Sequence, residues 1–249
     1  MNKRRDGVLR EIGLAPLWKL RTAHSLASPE VTAVTAELSP AAAATVAVPA
    51  DAERAVEIAA MNWDELRRSV ADCRACELCR SRRQAVLGAG DVEADWLFVG
   101  EGPGADEDEK GEPFVGQAGR LLDAMLAAIN LQRGKGVYIA NAVKCRPPDN
   151  RTPLPAEIIS CRPYLERQIE LLSPRLIVAL GRPAAQALLA REVKIADLRG
   201  SLQDYRGVPL VISYHPAYLL RTPSDKARAW EDLCFARATF LQRDHPVGS

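Results

Sequence analysis

Trp96-Leu97-Phe98-Val99-Gly100-Glu101-Gly102-Pro103-Gly104, continued through an acidic stretch into Pro113-Phe114-Val115-Gly116-Gln117-Ala118-Gly119, decides how this chain is read. Four apolar residues in a row stop abruptly at a glycine-rich loop, and the run reads as a buried strand. Three glycines within five residues, stiffened by Pro103, let a main chain come close to a planar or anionic group and take positive φ at little steric cost. A plain turn needs fewer. Beyond the loop, Ala118, Leu121, Leu122, Met125, Leu126 and Ile129 recur at helical spacing. Strand, glycine loop and helix therefore follow one another, and a ligand is expected at the loop.

Outward from this unit, apolar β-rich runs lie at 137–140, 176–180 and 210–213. Helical patterns at 117–131, 155–172 and 183–191 separate them, and a last helix runs from a cap at Ser224 or Asp225 to about Gln242. Such alternation predicts an α/β domain, with parallel strands and helices on both faces. Ligands of such sheets bind beyond the carboxyl ends of the strands. Here those ends are Gly100, Asn141, Gly181 and Tyr214-His215-Pro216 onward.

The 249 residues, 47% hydrophobic, allow one sizeable core and an appendage. Residues 1–60 read as an N-terminal extension: a short apolar and basic island at 8–14 and 16–21, then an Ala-, Pro- and Thr-rich linker at 25–49. Residues 61–249 carry the domain. A net charge of +1 gives no overall bias toward polyanions, so any nucleic-acid contact must come from a local patch. No apolar run approaches the roughly 18 residues of a spanning helix, and Met1-Asn2-Lys3-Arg4-Arg5 leads into no secretory core, so a cytoplasmic protein without membrane contact is expected. Six cysteines in such a chain point to metal ligation or core packing more than to disulfides.

Their spacing is uneven. Cys73-x-x-Cys76-x-x-Cys79 precedes the first strand, Cys145 follows the second, and Cys161 lies on a helical face. Thiolates so spaced suit either tetrahedral zinc or an iron–sulfur cluster, and the spacing does not separate the two. Cys161 also shares a stripe with Ile158, Leu165, Ile169 and Leu172, as a core cysteine would, and Cys234 on the last helix is expected in the core.

Three motifs in order and spacing carry a family resemblance: the glycine loop with Glu107-Asp108 and the Pro113 segment; Asn141-Ala142-Val143-Lys144-Cys145-Arg146-Pro147-Pro148-Asp149-Asn150-Arg151; and His215-Pro216-Ala217-Tyr218-Leu219-Leu220-Arg221. Over residues 63–240 the chain resembles the family 4, iron–sulfur uracil-DNA glycosylases. The resemblance implies a three-layer αβα fold with a central four-stranded parallel sheet, a [4Fe–4S] cluster, and a monomer that removes uracil from single- and double-stranded DNA in base-excision repair. Cys73, Cys76, Cys145 and Cys161 fall on its ligand positions; Cys79 does not, although its exchange with Cys76 stays open. Phe114 matches the aromatic that stacks on the base, Asn141 the amide that reads its edge, and His215 the histidine beside the scissile bond. Glu101 and Gly102 match the loop that faces the sugar, and Gly104 joins the substrate-binding set. Better-known uracil glycosylases carry a water-activating aspartate at the position of Gly102. This chain has no carboxylate there. Repair or replication proteins are the expected partners of the extension. The rival readings are a non-catalytic, cluster-carrying nucleic-acid-binding module tethered to a DNA polymerase, and a zinc-stabilised protein acting on another nucleotide.

These residue types suit the chemistry. Uracil offers an acceptor at O4 and a donor at N3, which one carboxamide satisfies together, whereas cytosine presents the opposite pattern. A buried polar group left unpaired costs about 1–3 kcal/mol. Negative charge develops on uracil O2 as the bond breaks, so a donor belongs there, and His215 is the candidate. Glu101 either orients water and steadies the cationic sugar or holds the loop through backbone amides. Arg146, Arg151, Lys144 and Arg221 are expected on phosphates. Tyr218, Leu219 and Leu220 either wedge into the groove or anchor their loop. The run Asp106-Glu107-Asp108-Glu109 reads as a solvated loop, with Glu107 as a cap. Hydrolysis moves no electrons, so the cluster is expected to clamp the fold.

Overall fold

The computed structural model describes residues 50–244; the expected N-terminal island and linker lie outside them. In chain order come helices α1 (Ala50–Ala60) and α2 (Trp63–Asp72), strands β1 (Ala89–Gly90) and β2 (Trp96–Gly100), and helices α3 (Ala105–Lys110) and α4 (Gln117–Ala128). Then follow β3 (Val137–Asn141), α5 (Pro155–Leu172), β4 (Leu176–Leu180), α6 (Arg182–Leu189), α7 (Ile195–Leu198), β5 (Gln203–Tyr205), β6 (Val208–Ser213), α8 (Pro216–Arg221) and α9 (Lys226–Asp244). Among the described residues no helix is long and apolar enough to cross a membrane.

The strands form one sheet in the order β1-β3-β2-β4-β6-β5. Its four central strands are parallel, with Gly100 opposite Asn141 and Leu180 opposite Ser213. The expected four-stranded sheet thus gains two short antiparallel edges. Neither edge has an apolar run to announce it. β5 is Gln-Asp-Tyr, joined to β6 by a tight hairpin in which Arg206 and Gly207 both take positive φ, the turn that suits strand twist.

Alternation along the central strands divides the interior in two. Leu97, Val99, Tyr138, Ala140, Ile177, Ala179, Leu210 and Ile212 face one core, shared with Leu66 and Val70 of α2, Ile158 and Leu165 of α5, and Ala184 and Leu188 of α6. Trp96, Phe98, Val137, Ile139, Val178, Leu180 and Val211 face the other, closed by Leu122 and Leu126 of α4 and Leu233 and Ala236 of α9. The result is helices, sheet, helices. Local chemistry sets where the helices begin: the Asn62 side chain accepts from the N–H groups of Asp64 and Glu65, while Glu65 accepts from Asn62 N–H, a reciprocal cap. Helix α1 precedes the boundary expected at residue 61, yet its Ile58 is buried in the first core. Cys234, expected in the core, is exposed on α9. The apolar stripe of that helix is filled by Leu233 and Ala236.

α4 and the segment before it approach each other as closely as main chains allow. A Cβ at Gly119 would stand 1.7 Å from the Phe114 carbonyl oxygen. Because the obstacle is backbone, Gly119→Ala is expected to destabilise the protein by at least the 1–3 kcal/mol typical of overpacking and to lower Tm by about 3 °C or more in thermal unfolding. An unchanged Tm would contradict this packing.

Candidate active site

The carboxyl ends of β2, β3, β4 and β6 supply Glu101–Gly104, Asn141, Gly181–Arg182 and Tyr214–His215 to a single cavity of about 660 Å³, which Phe114, Arg151, Thr152, Tyr218 and Arg221 also line. This is the sheet edge at which a ligand was expected. The three motifs, distant in sequence, share its wall.

Gly100 ends β2. A Cβ there would lie 2.5 Å from Asn141 Oδ1 and 2.5 Å from Phe114 Cζ, so the ring and the carboxamide close together over the end of β2. Asn141 is 2% exposed, and its Oδ1 has no hydrogen-bond partner. A buried acceptor left so is waiting for a donor. Phe114 takes φ 55°, a left-handed conformation uncommon outside glycine. Its surroundings enforce it. Arg133 donates to the carbonyls of Pro113 and Phe114, both at 2.9 Å, while Glu107 Oε1 accepts from the N–H groups of Val115 (2.9 Å) and Gly116 (3.1 Å). The other Glu107 oxygen accepts from Gly104 N–H at 3.0 Å, so one carboxylate joins the glycine loop to the Phe114 loop. Asp108, 5% exposed, accepts from the N–H groups of Arg83 and Gln84. The acidic run is therefore a helix whose inner carboxylates stitch the site, which corrects the expected solvated loop. Arg133 did not stand out in the sequence; Gly100 did as part of the glycine loop, and Glu107 through its match to the family motif.

His215 caps α8. Its Nδ1 accepts from Ala217 N–H at 3.2 Å, which leaves the proton on Nε2. The ring lies 5.4 Å from the Phe114 ring, at 29°. Burial, with the charge of Arg221 beside it, pushes its pKa down to about 4, so the imidazole is neutral at physiological pH. Burial raises the Glu101 carboxyl, against a hydrogen bond from Thr152 and the charges of Arg182 and Arg221. A Cβ at Gly102 would stand 2.7 Å from Val143 Cγ2, so the loop leaves no room for a longer residue without a shift. Behind the pocket, Arg199 holds the buried Asp232, which accepts from Ser213 Oγ at 2.8 Å, and Arg199 lies over the Tyr214 ring at 5.6 Å.

The expected DNA-facing residues divide. Arg221 is exposed at the cavity rim, and Arg146 bonds Asn150 at 2.7 Å. Arg151 lines the cavity and holds Glu157 through both nitrogens, at 2.9 and 2.7 Å. Lys144, expected on a phosphate, is 1% exposed, because its ammonium turns inward to the Asn141 carbonyl and Gln168 Oε1. Leu219 is 1% exposed and anchors α8, so of the leucine pair only Leu220, 40% exposed, is available as a wedge.

Cys73, Cys76, Cys145 and Cys161 come within electrostatic reach of one another: Cys76 feels Cys73, Cys145 feels Cys76 and Cys73, and Cys161 feels Cys145 and Cys73. Cys79 acts on Cys76. Burial pushes up the Cys76, Cys145 and Cys161 thiols, Cys145 to about 11 and Cys161 to about 12. Two carry N–H donors: Arg82 reaches Cys145 Sγ at 2.9 Å, and Lys144 N–H reaches Cys161 Sγ at 3.2 Å. Such donors stabilise thiolate ligands. Among the described residues no group of three or more His, Cys, Asp or Glu side chains is arranged to hold a single metal ion.

Residues 87–234 match the family model described as the uracil DNA glycosylase superfamily. The chain is 43% identical over 181 residues to the type-4 uracil-DNA glycosylase of Pyrobaculum aerophilum, covering 70% of this chain and 92% of that protein. It is 44% identical to the type-4 enzyme of Archaeoglobus fulgidus over 168 residues (64% and 84%), and 45% identical to that of Thermotoga maritima over 161 residues (64% and 83%).

The imidazole can be watched directly. In the folded protein the His215 ring resonances are expected to stay constant from pH 8 to about 5 and to move only near pH 4, whereas an ordinary histidine titrates near 6.5. The unfolded chain takes up that proton first, so this group makes folding stability fall as pH drops from about 6.5 toward 4. A His215 midpoint near 6.5 by NMR would contradict the environment described.

Proposed function

Since the chain belongs to the uracil DNA glycosylase superfamily, we propose that it hydrolyses the N-glycosidic bond of uracil in DNA, the opening step of base-excision repair. The observation that carries the reading is the buried Asn141 Oδ1, without a partner and beside Phe114, at the foot of a cavity wide enough for a base. A uracil turned out of the helix offers N3–H to that oxygen and O4 to the amide nitrogen, while Phe114 covers its face. Cytosine, with an acceptor at N3, leaves Oδ1 still orphaned.

As the C1′–N1 bond breaks, its electron pair passes to the uracil ring and charge gathers on O2. His215 is a neutral donor with its proton on Nε2, so it stabilises that charge by a hydrogen bond without protonating the base. Water adds at C1′. Glu101 is the loop carboxylate placed to orient it and to oppose the positive sugar; Gly102 contributes close approach rather than a base. Arg146, Arg151 and Arg221 grip phosphates around the cavity, and Leu220 enters the vacated stack.

Cys73, Cys76, Cys145 and Cys161 would hold a [4Fe–4S] cluster. Four soft sulfurs, two of them already taking N–H hydrogen bonds, fit that group. When bound it supplies a covalent cross-link between the segment before β1 and the segment from β3 to α5, which carries Arg146 and Arg151. The N-terminal extension, read from the sequence as residues 1–60, is assigned to repair or replication partners.

Release of uracil from single-stranded DNA and from U·G pairs tests the reading. Asn141→Ala and His215→Ala are each expected to slow release by about 10²–10³-fold. Cys145→Ala is expected to lose iron, visible colour and thermal stability together. Wild-type protein that frees no uracil over a range of salt concentrations would sink the assignment; a colourless Cys145→Ala protein of unchanged stability would sink the clamp.

A further inference from the structure

The chemistry above has no use for Lys144, yet few groups in the protein are placed at more expense. Its side chain is 1% exposed, and burying an ammonium is unfavourable unless it is both hydrogen-bonded and answered by opposite charge. The hydrogen bonds are present. Nζ donates to the Asn141 carbonyl at 2.9 Å and to Gln168 Oε1 at 2.5 Å. Gln168, itself fully buried in α5, donates from Nε2 to the Leu87 carbonyl at 3.0 Å and to Tyr138 Oη at 3.3 Å. The acidic groups that act on Lys144 are the thiols of Cys161 and Cys145, and its own N–H donates to Cys161 Sγ. One residue therefore touches the main chain of Asn141 on one side and the cysteine cage on the other.

We propose that Lys144 is a positioning residue for base recognition, whose buried ammonium ties the Asn141 main chain to Gln168 while its own peptide N–H holds Cys161 Sγ. The link rests on the reading of Asn141 as the base reader and of the cysteines as cluster ligands. Asn141 ends a strand, so its carboxamide direction follows its peptide; a carbonyl anchored from below fixes where Oδ1 points. The peptide N–H of the same residue, bonded to Cys161 Sγ, joins that anchor to the cysteine cage. A cage emptied of its group would slacken the base pocket without any contact between cluster and uracil.

Full-length, iron-loaded wild type is compared with Gln168→Leu, Gln168→Glu and Lys144→Met for iron per chain, free-uracil affinity by calorimetry, and kcat and KM on a uracil-containing oligonucleotide. Gln168→Leu, two helical turns beyond Cys161 and itself no cluster ligand, is expected to keep its iron and its KM for DNA, and to lose about tenfold in uracil affinity and in kcat, the scale of one buried hydrogen bond. Gln168→Glu still offers Nζ an acceptor but loses the donor to Leu87 and Tyr138, so it is expected to recover part of that loss, which a merely space-filling role would not predict. Lys144→Met is expected to fall further in the same direction. Wild-type uracil affinity and kcat in either Gln168→Leu or Lys144→Met, with iron retained, overturn the proposal, so a failure of one variant to fold leaves the other decisive. If the wild type itself neither binds nor releases uracil, the reading of the site is what fails. The Asn141 carbonyl in a crystal structure of Lys144→Met then judges the link: a displaced carbonyl supports it and an unmoved one overturns it.

Discussion

The missing side chain at Gly100 is the constraint from which the site follows. The end of β2 has no Cβ, and into that space come the Phe114 ring and the Asn141 carboxamide, each 2.5 Å from where a methyl would stand. Any larger residue would part them. The strand is buried on both faces up to that point, so it has no freedom to move aside. A rigid sheet edge with one atom left out is a better floor for a flat base than a flexible loop would be.

Around this floor the loops are held by charge placed inside the protein. Glu107 joins the glycine loop to the Phe114 loop, Asp108 ties in the segment after the cysteine trio, Arg133 holds the Phe114 carbonyl, and Asp232 with Arg199 backs Ser213 and Tyr214. Main-chain N–H and C=O groups leaving the sheet need partners once buried, and these side chains provide them. The strained φ of Phe114 persists because both peptides flanking it are clamped.

The same burial sets the electrostatics. His215 loses water and gains the neighbouring Arg221 charge, so it stays neutral with Nε2–H free to donate, while Glu101 is balanced between its own burial and two arginines. A neutral donor suits an oxygen that gathers charge only late in bond breaking. Two cationic groups, Arg82 and Lys144, are engaged within the fold, so a net charge of +1 says little about where positive charge is left at the surface.

Residue order by itself determined the four parallel strands, the helices between them, and the sheet edge at which the glycine loop, Asn141 and His215 meet. Hydrophobic period and glycine spacing are local signals, and parallel topology then leaves few ways to arrange the strands. Neither edge strand is marked in the sequence, because β1 is only Ala-Gly and β5 only Gln-Asp-Tyr, each held by pairing rather than by pattern. The helical turn at Ala105–Lys110 escaped notice for a related reason: its charges look outward in a sequence, and only their partners, contributed by residues 83–84 and 115–116, turn them inward. Tertiary structure alone decided that Lys144 points into the core, that Leu219 is an anchor while Leu220 is free, that Cys234 lies outside, and which nitrogen of His215 keeps its proton. Each of these depends on what stands across from a side chain in space, and a linear order of residues carries no record of that distance.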